Sequence, residues 1–179
     1  MDARGTYGMK LIVFSDSHHR NITDMLTIIE EEKPDAVLHL GDVAEDADDI
    51  RAVFPQLQLF QVCGNNDWTS EIPENLVVRA GQSRIFITHG HLHGVRRHTR
   101  ALAAAAKKSG CSAALYGHTH RAEIHEEDGI LIANPGSISM PYVAEPPSYL
   151  RLTVAGTAIQ PELVYLEETQ RKPRRGWRR

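Results

Sequence analysis

What most narrows the folds open to this chain is a punctuation that recurs five times: a short apolar run ends abruptly in side chains able to bind a cation. Lys10-Leu11-Ile12-Val13-Phe14 runs into Ser15-Asp16-Ser17-His18-His19, and Ala36-Val37-Leu38-His39-Leu40 into Gly41-Asp42. Leu57 to Cys63 ends in Gly64-Asn65-Asn66-Asp67, and the segment Leu76 to Thr88 delivers His89-Gly90-His91. Ser112-Ala113-Ala114-Leu115 ends in Tyr116-Gly117-His118-Thr119-His120. Continuous apolar runs of this length read as buried strands. In open α/β sheets, ligands gather outside the carboxyl ends of strands, so these five ends are expected to converge.

Helices fit between the runs. Asn21 or Thr23 can cap a helix carrying Ile22, Met25, Leu26 and Ile29 at helical spacing, stopped at Lys33-Pro34-Asp35. An acidic helix is expected from about Asp46 to Phe54, with Glu45 to Asp49 as its start and solvated face. An alanine-rich helix is expected over about Val95 to Lys108. Leu76 to Thr88 reads as a hairpin turning at Gly81-Gln82-Ser83. After His120 the pattern becomes hairpin strands over 122–127, 130–133, 148–154 and 157–166, turned by Asp128-Gly129 and Ala155-Gly156. The order is βαβαβ and then mostly antiparallel strands, a single α/β (α+β) domain over residues 9–166. Residues 1–8 are expected to be a disordered extension and 167–179 a disordered basic tail.

At 179 residues, with 41% hydrophobic and 24% charged side chains, the chain has the make-up of one soluble domain. No apolar run approaches the roughly 18 residues that span a bilayer, and no signal-peptide core opens the sequence. Cys63 and Cys111 make no disulfide framework and suit a reducing cytoplasm. Arg171 to Arg179 hold six basic side chains; without them the body has 14 basic against 23 acidic groups, a net charge of −9. An acidic body with no appended DNA-binding module argues against a nucleic-acid partner, except as a hydrolysable fragment.

Of the ten histidines, six fall between His89 and His120. In extended backbone, His118 and His120 face the same side. Asp16, His18, Asp42, Asn65, His89, His118 and His120 are too many ligands for one tetrahedral zinc. They suit two divalent ions that share a carboxylate and keep positions open for water or substrate. Mixed oxygen and nitrogen donors without cysteine favour manganese, iron, zinc or nickel.

In this order, Asp-x-His, Gly-Asp, Gly-Asn-x-Asp, Thr-His-Gly-His and Gly-His-Thr-His resemble the calcineurin-like metallophosphoesterase superfamily. The short spacings and Asn134-Pro135-Gly136-Ser137 resemble its small bacterial and archaeal phosphodiesterase branch. The resemblance implies a four-layer αββα sandwich, with two mixed sheets flanked by helices. It implies that Asp16, His18, Asp42 and His120 bind one ion, manganese being the first expectation. Asp42 would bridge to a second ion completed by Asn65, His89 and His118. It further implies hydrolysis of a small phosphodiester by in-line attack of a hydroxide bridging the ions, with Asp42 and Asn65 as candidate catalytic residues. A phosphomonoesterase with the same centre is the first alternative. The second is a metal-binding protein-interaction scaffold, since a eukaryotic retromer subunit resembles this branch. Exposed hairpins also suit a homodimer.

The pattern departs from the family at Asn66, where many larger members carry a histidine that protonates the leaving group. An amide supplies no proton near neutral pH. His91 is the candidate replacement, with His19 and His93 behind it. His19 stands where the family usually has glycine. His39, in an apolar strand, reads as a packed core residue, and His98 and His125 as surface. Cys63 reads as core filling, Asp67 as orienting the asparagine loop or a histidine ligand or serving the loop turn, and Trp68 as either a pocket wall or packing.

Overall fold

Residues 8–68 and 71–166 are described by the structure, a computed structural model. The expected extension, apart from Gly8, and the basic tail lie outside the described residues. The chain forms β1 (Met9–Phe14), α1 (Ile22–Glu32), β2 (Ala36–His39), α2 (Ala44–Val53) and β3 (Gln58–Gln61). There follow β4 (Asn75–Ala80), β5 (Ser83–Thr88), α3 (Arg100–Lys108), β6 (Ala113–Leu115), β7 (Ala122–Glu127) and β8 (Ile130–Pro135). A last hairpin, β9 (Ser148–Ala155) and β10 (Ala158–Tyr165), closes the domain.

Two five-stranded mixed sheets result, ordered β10-β9-β1-β2-β3 and β4-β5-β6-β8-β7. In the first, β1, β2 and β3 run parallel, with Phe14 opposite His39 and His39 opposite Gln61. In the second, β5, β6 and β8 run parallel. The carboxyl ends of the ligand-bearing strands therefore lie together, as the strand punctuation requires.

The two-residue period of β1 shows how the layers are specified. Leu11 and Val13 point between the sheets, where they meet Leu38, Ile85, Ile87, Leu115 and Leu152. Ile12 and Phe14 point the other way, onto Met25, Ile28 and Ile29 of α1 and Ile50 of α2. On the far side, Leu102, Ala103 and Ala106 of α3 cover Phe86, Ala114 and Ile132. The architecture is thus the αββα sandwich. Each fully buried Leu, Ile or Phe contributes about 1.5–3 kcal/mol, so the inter-sheet layer forms a stiff floor beneath the strand ends.

One expected element is shorter than its alanine content suggests. The helix expected from Val95 begins only at Arg100, preceded by a 3-10 turn at His91–His93. Gly90 and Gly94 take left-handed backbone, and Thr99 is tied across to β7 by the His125 ring at 2.9 Å and Glu127 Oε2 at 3.1 Å. These bonds place residues 95–99 over the second sheet in a conformation that helix propensity does not report.

Candidate metal centre

Five of the seven expected ligands sit in left-handed backbone: Asp16, His18, Asp42, His118 and His120, with φ between 49° and 66°. Asp and His visit this region more often than most side chains, but at a cost that surrounding structure must over-determine. It does so here. Ser137 and Ser139 donate their hydroxyls to the Asp16 carbonyl at 2.7 and 3.0 Å. The Asn134 amide donates to the Gly117 carbonyl, and the His118 backbone N–H to Asp16 Oδ2, each at 3.0 Å. Each left-handed residue turns its side chain out of the strand line toward the common centre.

Two overlapping triads gather there. Ligand atoms of Asp16, His18 and His120 lie within 4.8 Å of one another, as do those of Asp16, Asp42 and His89. Asp16 is the carboxylate common to both. His120 Nε2 stands 3.1 Å from Asp16 Oδ1 and 3.5 Å from His18 Nε2. His89 Nε2 stands 3.1 Å from Asn65 Oδ1 and 3.5 Å from Asp42 Oδ1. The His118 ring lies 5.1 Å, centroid to centroid, from that of His89. All seven expected ligands therefore lie in one region, although His118 belongs to neither triad.

The donor set fits divalent ions on three counts. First, the tautomers are fixed by carbonyls, which can only accept: His89 Nδ1–H donates to Leu40 at 2.7 Å and His120 Nδ1–H to Met140 at 2.5 Å. Both Nε2 lone pairs are thereby aimed inward, the usual orienting device for metal-binding histidines. Second, Asp16 Oδ1 is buried without a hydrogen bond, although Oδ2 accepts from Ser15 Oγ at 2.6 Å. A buried, unsatisfied carboxylate oxygen is costly unless a cation completes it. Third, adjacent ligands of an octahedral ion with bonds of ~2.1 Å lie about 3 Å apart, close to the 3.1 Å separations found here.

The electrostatics agree. Burial pushes the Asp16 carboxyl up, but the close approach of the His120 and His89 imidazoles and the Ser15 hydrogen bond outweigh it and hold it below the usual range. Burial, then the neighbouring charges of His89 and Arg96, push the His118 imidazole down to about 4. That ring is neutral at pH 7, as a ligand must be.

The remaining candidates are dispersed. The ring of His91 lies 5.5 Å from that of His89 and 6.1 Å from that of His118; burial, then His89, hold its pKa below the ordinary value. His93 turns toward Asn75, 3.0 Å away. His39 is fully buried, its Nε2 3.1 Å from Ser17 Oγ, a packed histidine as expected. Cys63 is buried, and His98 is exposed.

Three expectations are corrected. The acidic run is not wholly a solvated face: Asp46 is 1% exposed, because the first turn of α2 packs under the site. There it accepts the His19 backbone N–H at 3.1 Å and faces His19 Nδ1 at 3.2 Å. His125 is half-buried rather than on the surface, held by Thr99. Trp68, at 98% exposure, does not pack.

Other contributors were not legible as such. Asn66 donates its side-chain amide to Asp42 Oδ2 at 2.7 Å and its backbone N–H to Oδ1 at 3.0 Å. Asp67, expected to orient the asparagine loop or a histidine ligand or to serve the loop turn, accepts the backbone N–H groups of Asp42, Ala44 and Gly64 at 2.7–3.0 Å. Signals for both lay in the Asn-Asn-Asp run, whose spacing suits a turn folding back on a neighbouring loop.

Three clefts among the described residues lie about the centre, one of them, of about 530 Å³, beside Asn65 and His91. A larger one of about 1000 Å³ opens beside His118 and His120. A third, of about 550 Å³, lies beside His19, Asn66 and Trp68.

A sandwich of this order, with carboxylates and histidines at its strand ends, defines a metal-dependent phosphoesterase class. The chain belongs to the calcineurin-like phosphoesterase superfamily, whose domain model matches residues 9–157. It is 32% identical over 153 residues to the probable metallophosphoesterase YsnB of Bacillus subtilis, covering 84% of this chain and 87% of that protein. It is 30% identical over 149 residues to the phosphodiesterase MJ0936 of Methanocaldococcus jannaschii, covering 72% and 83%. It also resembles the crystal structure of zinc-complexed Vps29 from Entamoeba histolytica, at 25% identity and a TM-score of 0.71, covering 88% and 99% of the two chains. No helix among the described residues is long and apolar enough to cross a membrane.

Proposed function

We propose that the protein is a phosphodiesterase that works with two divalent ions, manganese first among them. The observation that carries this reading is room beside two parts of the ligand cluster, about 1000 Å³ at His118 and His120 and about 530 Å³ at Asn65 and His91. A diester has two organic arms to seat; a monoester has one. The phosphodiesterase among the relatives supports the same choice.

Asp16, His18 and His120 would hold one ion, and Asn65, His89 and His118 the other; the family resemblance makes Asp42 the shared carboxylate, although it is Asp16 that both triads have in common. Bound ions supply Lewis acidity to phosphoryl oxygens and lower the pKa of water, which furnishes the nucleophile. The protein's part is positioning. Asn66 fixes both oxygens of Asp42, and Asp67 fixes the backbone behind it. Asn65 ligates through a neutral amide, leaving the centre positive enough for an anionic substrate. His91 is the nearest imidazole left to hand a proton to the leaving oxygen. Burial, then His89, hold its pKa below the ordinary value, which favours substrates whose leaving groups need little protonation. The complete donor set favours turnover over the scaffold reading that the Vps29 likeness raises. A chain with only two cysteines, Cys63 and Cys111, both buried, suits a cytoplasmic location.

The test is hydrolysis of bis-p-nitrophenyl phosphate beside p-nitrophenyl phosphate, after metal removal and reloading with manganese, nickel, zinc or iron. Asp42→Asn is the control. Metal-dependent cleavage of the diester, lost in the variant, is expected. A strong preference for the monoester would replace the diesterase reading; two bound metals with no cleavage of either would favour the scaffold.

A further inference from the structure

The larger cleft has a chemistry of its own. It is lined on one side by Arg96 and Arg97 and on another by Arg121 and Tyr142. The Arg121 guanidinium lies 4.3 Å from the centroid of the Tyr142 ring, and that ring remains 45% exposed. No ion pair joins Arg96, Arg97 or Arg121 to a carboxylate among the described residues, although Glu123 and Glu127 line the same cleft. Those carboxylates are engaged elsewhere: Glu123 accepts the Tyr116 hydroxyl, and Glu127 accepts Thr99 and faces Arg100. The cleft therefore joins a guanidinium lying over an aromatic ring, two guanidinium groups without an ion pair among the described residues, and the carboxylates of Glu123 and Glu127, beside His118 and His120.

We propose that this cleft seats a nucleotide, so that the physiological diester carries a nucleoside and a second phosphate on the arm lying over Tyr142. This rests on the phosphodiesterase reading of the adjoining centre and names its substrate class. Each part of a nucleotide finds a matching group. A base has a π-face for the Arg121–Tyr142 stack, as unstacked bases find on aromatic and guanidinium planes elsewhere. A second phosphate is the dianion that Arg96 and Arg97 lack, and guanidinium binds it by paired N–H donors. Ribose hydroxyls can donate to the Glu123 and Glu127 edge. A simple aryl or alkyl arm would use none of the arginines.

The test uses calorimetry on the full-length protein with inorganic phosphate, adenosine 5′-monophosphate and adenosine 3′,5′-bisphosphate. Kinetics on thymidine 5′-(p-nitrophenyl phosphate) and bis-p-nitrophenyl phosphate run beside it. The bisphosphate is expected to bind at least about tenfold tighter than the monophosphate, an advantage lost in an Arg96→Gln/Arg97→Gln variant. Tyr142→Leu is expected to weaken both nucleotides about tenfold and inorganic phosphate much less. It should also lower kcat/KM for the thymidine ester more than for the plain diester. Nucleotides that bind no tighter than inorganic phosphate, or that bind equally well to both variants, overturn the proposal. If nucleotides bind as expected but neither ester is cleaved with any metal, the phosphodiesterase reading fails and the nucleotide site stands. If both esters are cleaved with equal efficiency and no nucleotide binds, the reverse holds.

Discussion

Gly64 sets how closely the asparagine loop can approach Asp42, so Gly64→Ala should damage the metal centre without unfolding the domain. An alanine Cβ there would overlap Asp42 Oδ1 and its backbone nitrogen outright and lie 2.9 Å from the carboxylate carbon. Ordinary contact begins near 3.4 Å, so the carboxylate must retreat by at least about 0.5 Å, and its oxygen by more. The backbone cannot absorb the shift cheaply, because Asp67 Oδ2 ties the N–H groups of Gly64 and Asp42 together at 2.7 and 3.0 Å. Metal–ligand distances tolerate about 0.2 Å, and misplacing a reacting group by about 1 Å can cost ~10²-fold in rate. The expectation is a stability loss of about 1–3 kcal/mol from overpacking, with diester turnover down by ~10-fold or more and weakened binding of both ions, which would share Asp42. Gly129→Ala is the control, since its added Cβ meets nothing within 4 Å; it should lose stability through its positive φ and keep its metals. Metal content by elemental analysis, urea unfolding and bis-p-nitrophenyl phosphate kinetics read the three effects. A Gly64→Ala protein with full metal content and wild-type turnover would refute the claim that loop approach positions Asp42.

Asp67→Ala leaves three backbone N–H groups without their acceptor, and at about 1 kcal/mol or more each the unfolding free energy should fall by about 3 kcal/mol, read as a lower urea midpoint at unchanged m-value. Removing the ions by chelation should lower the melting temperature, and readdition at ~100 times the dissociation constant should restore about 2.7 kcal/mol; no shift would mean that the cluster does not bind the ion used. The Arg151 hydrogen bond, aided by Tyr149 and Lys10 and opposed by burial, holds the Glu32 carboxyl down at about 2. Because the folded pKa is depressed, its stabilisation is complete above about pH 4.5 and drains away as pH falls toward 2. The stability gap between the natural protein and Glu32→Gln, measured by urea unfolding, should therefore shrink over that window; a constant gap would show that packing alone is responsible.

The seven candidate ligands could be picked out because each stands within a few residues of the end of an apolar run, and strand direction carries that local signal into space. The groups that hold them were harder to read, since their partners are distant in the chain and often backbone. Nothing local to His120 indicates that the Met140 carbonyl, twenty residues on, fixes its tautomer. Asp46 was misread for a related reason. Its neighbours Glu45, Asp48 and Asp49 make it look like one more solvated carboxylate, whereas the first turn of α2 starts directly beneath the centre and burial follows from that placement. The left-handed backbone at five ligands was equally hidden, because Asp and His carry no marker comparable to glycine. Together these features explain why Asn66 need not be a failed histidine. An amide there donates to Asp42 Oδ2 while the backbone N–H of the same residue holds Oδ1. Asn66→His should remove that amide donor and place an imidazole within reach of the leaving group. If proton donation limits the rate, the variant gains most on diesters with poor leaving groups. If anchoring of Asp42 limits it, the variant loses turnover on every diester along with metal affinity. Turnover measured against leaving-group pKa separates the two: a flatter dependence in the variant marks a gained proton donor, and a parallel downward displacement marks a loosened carboxylate.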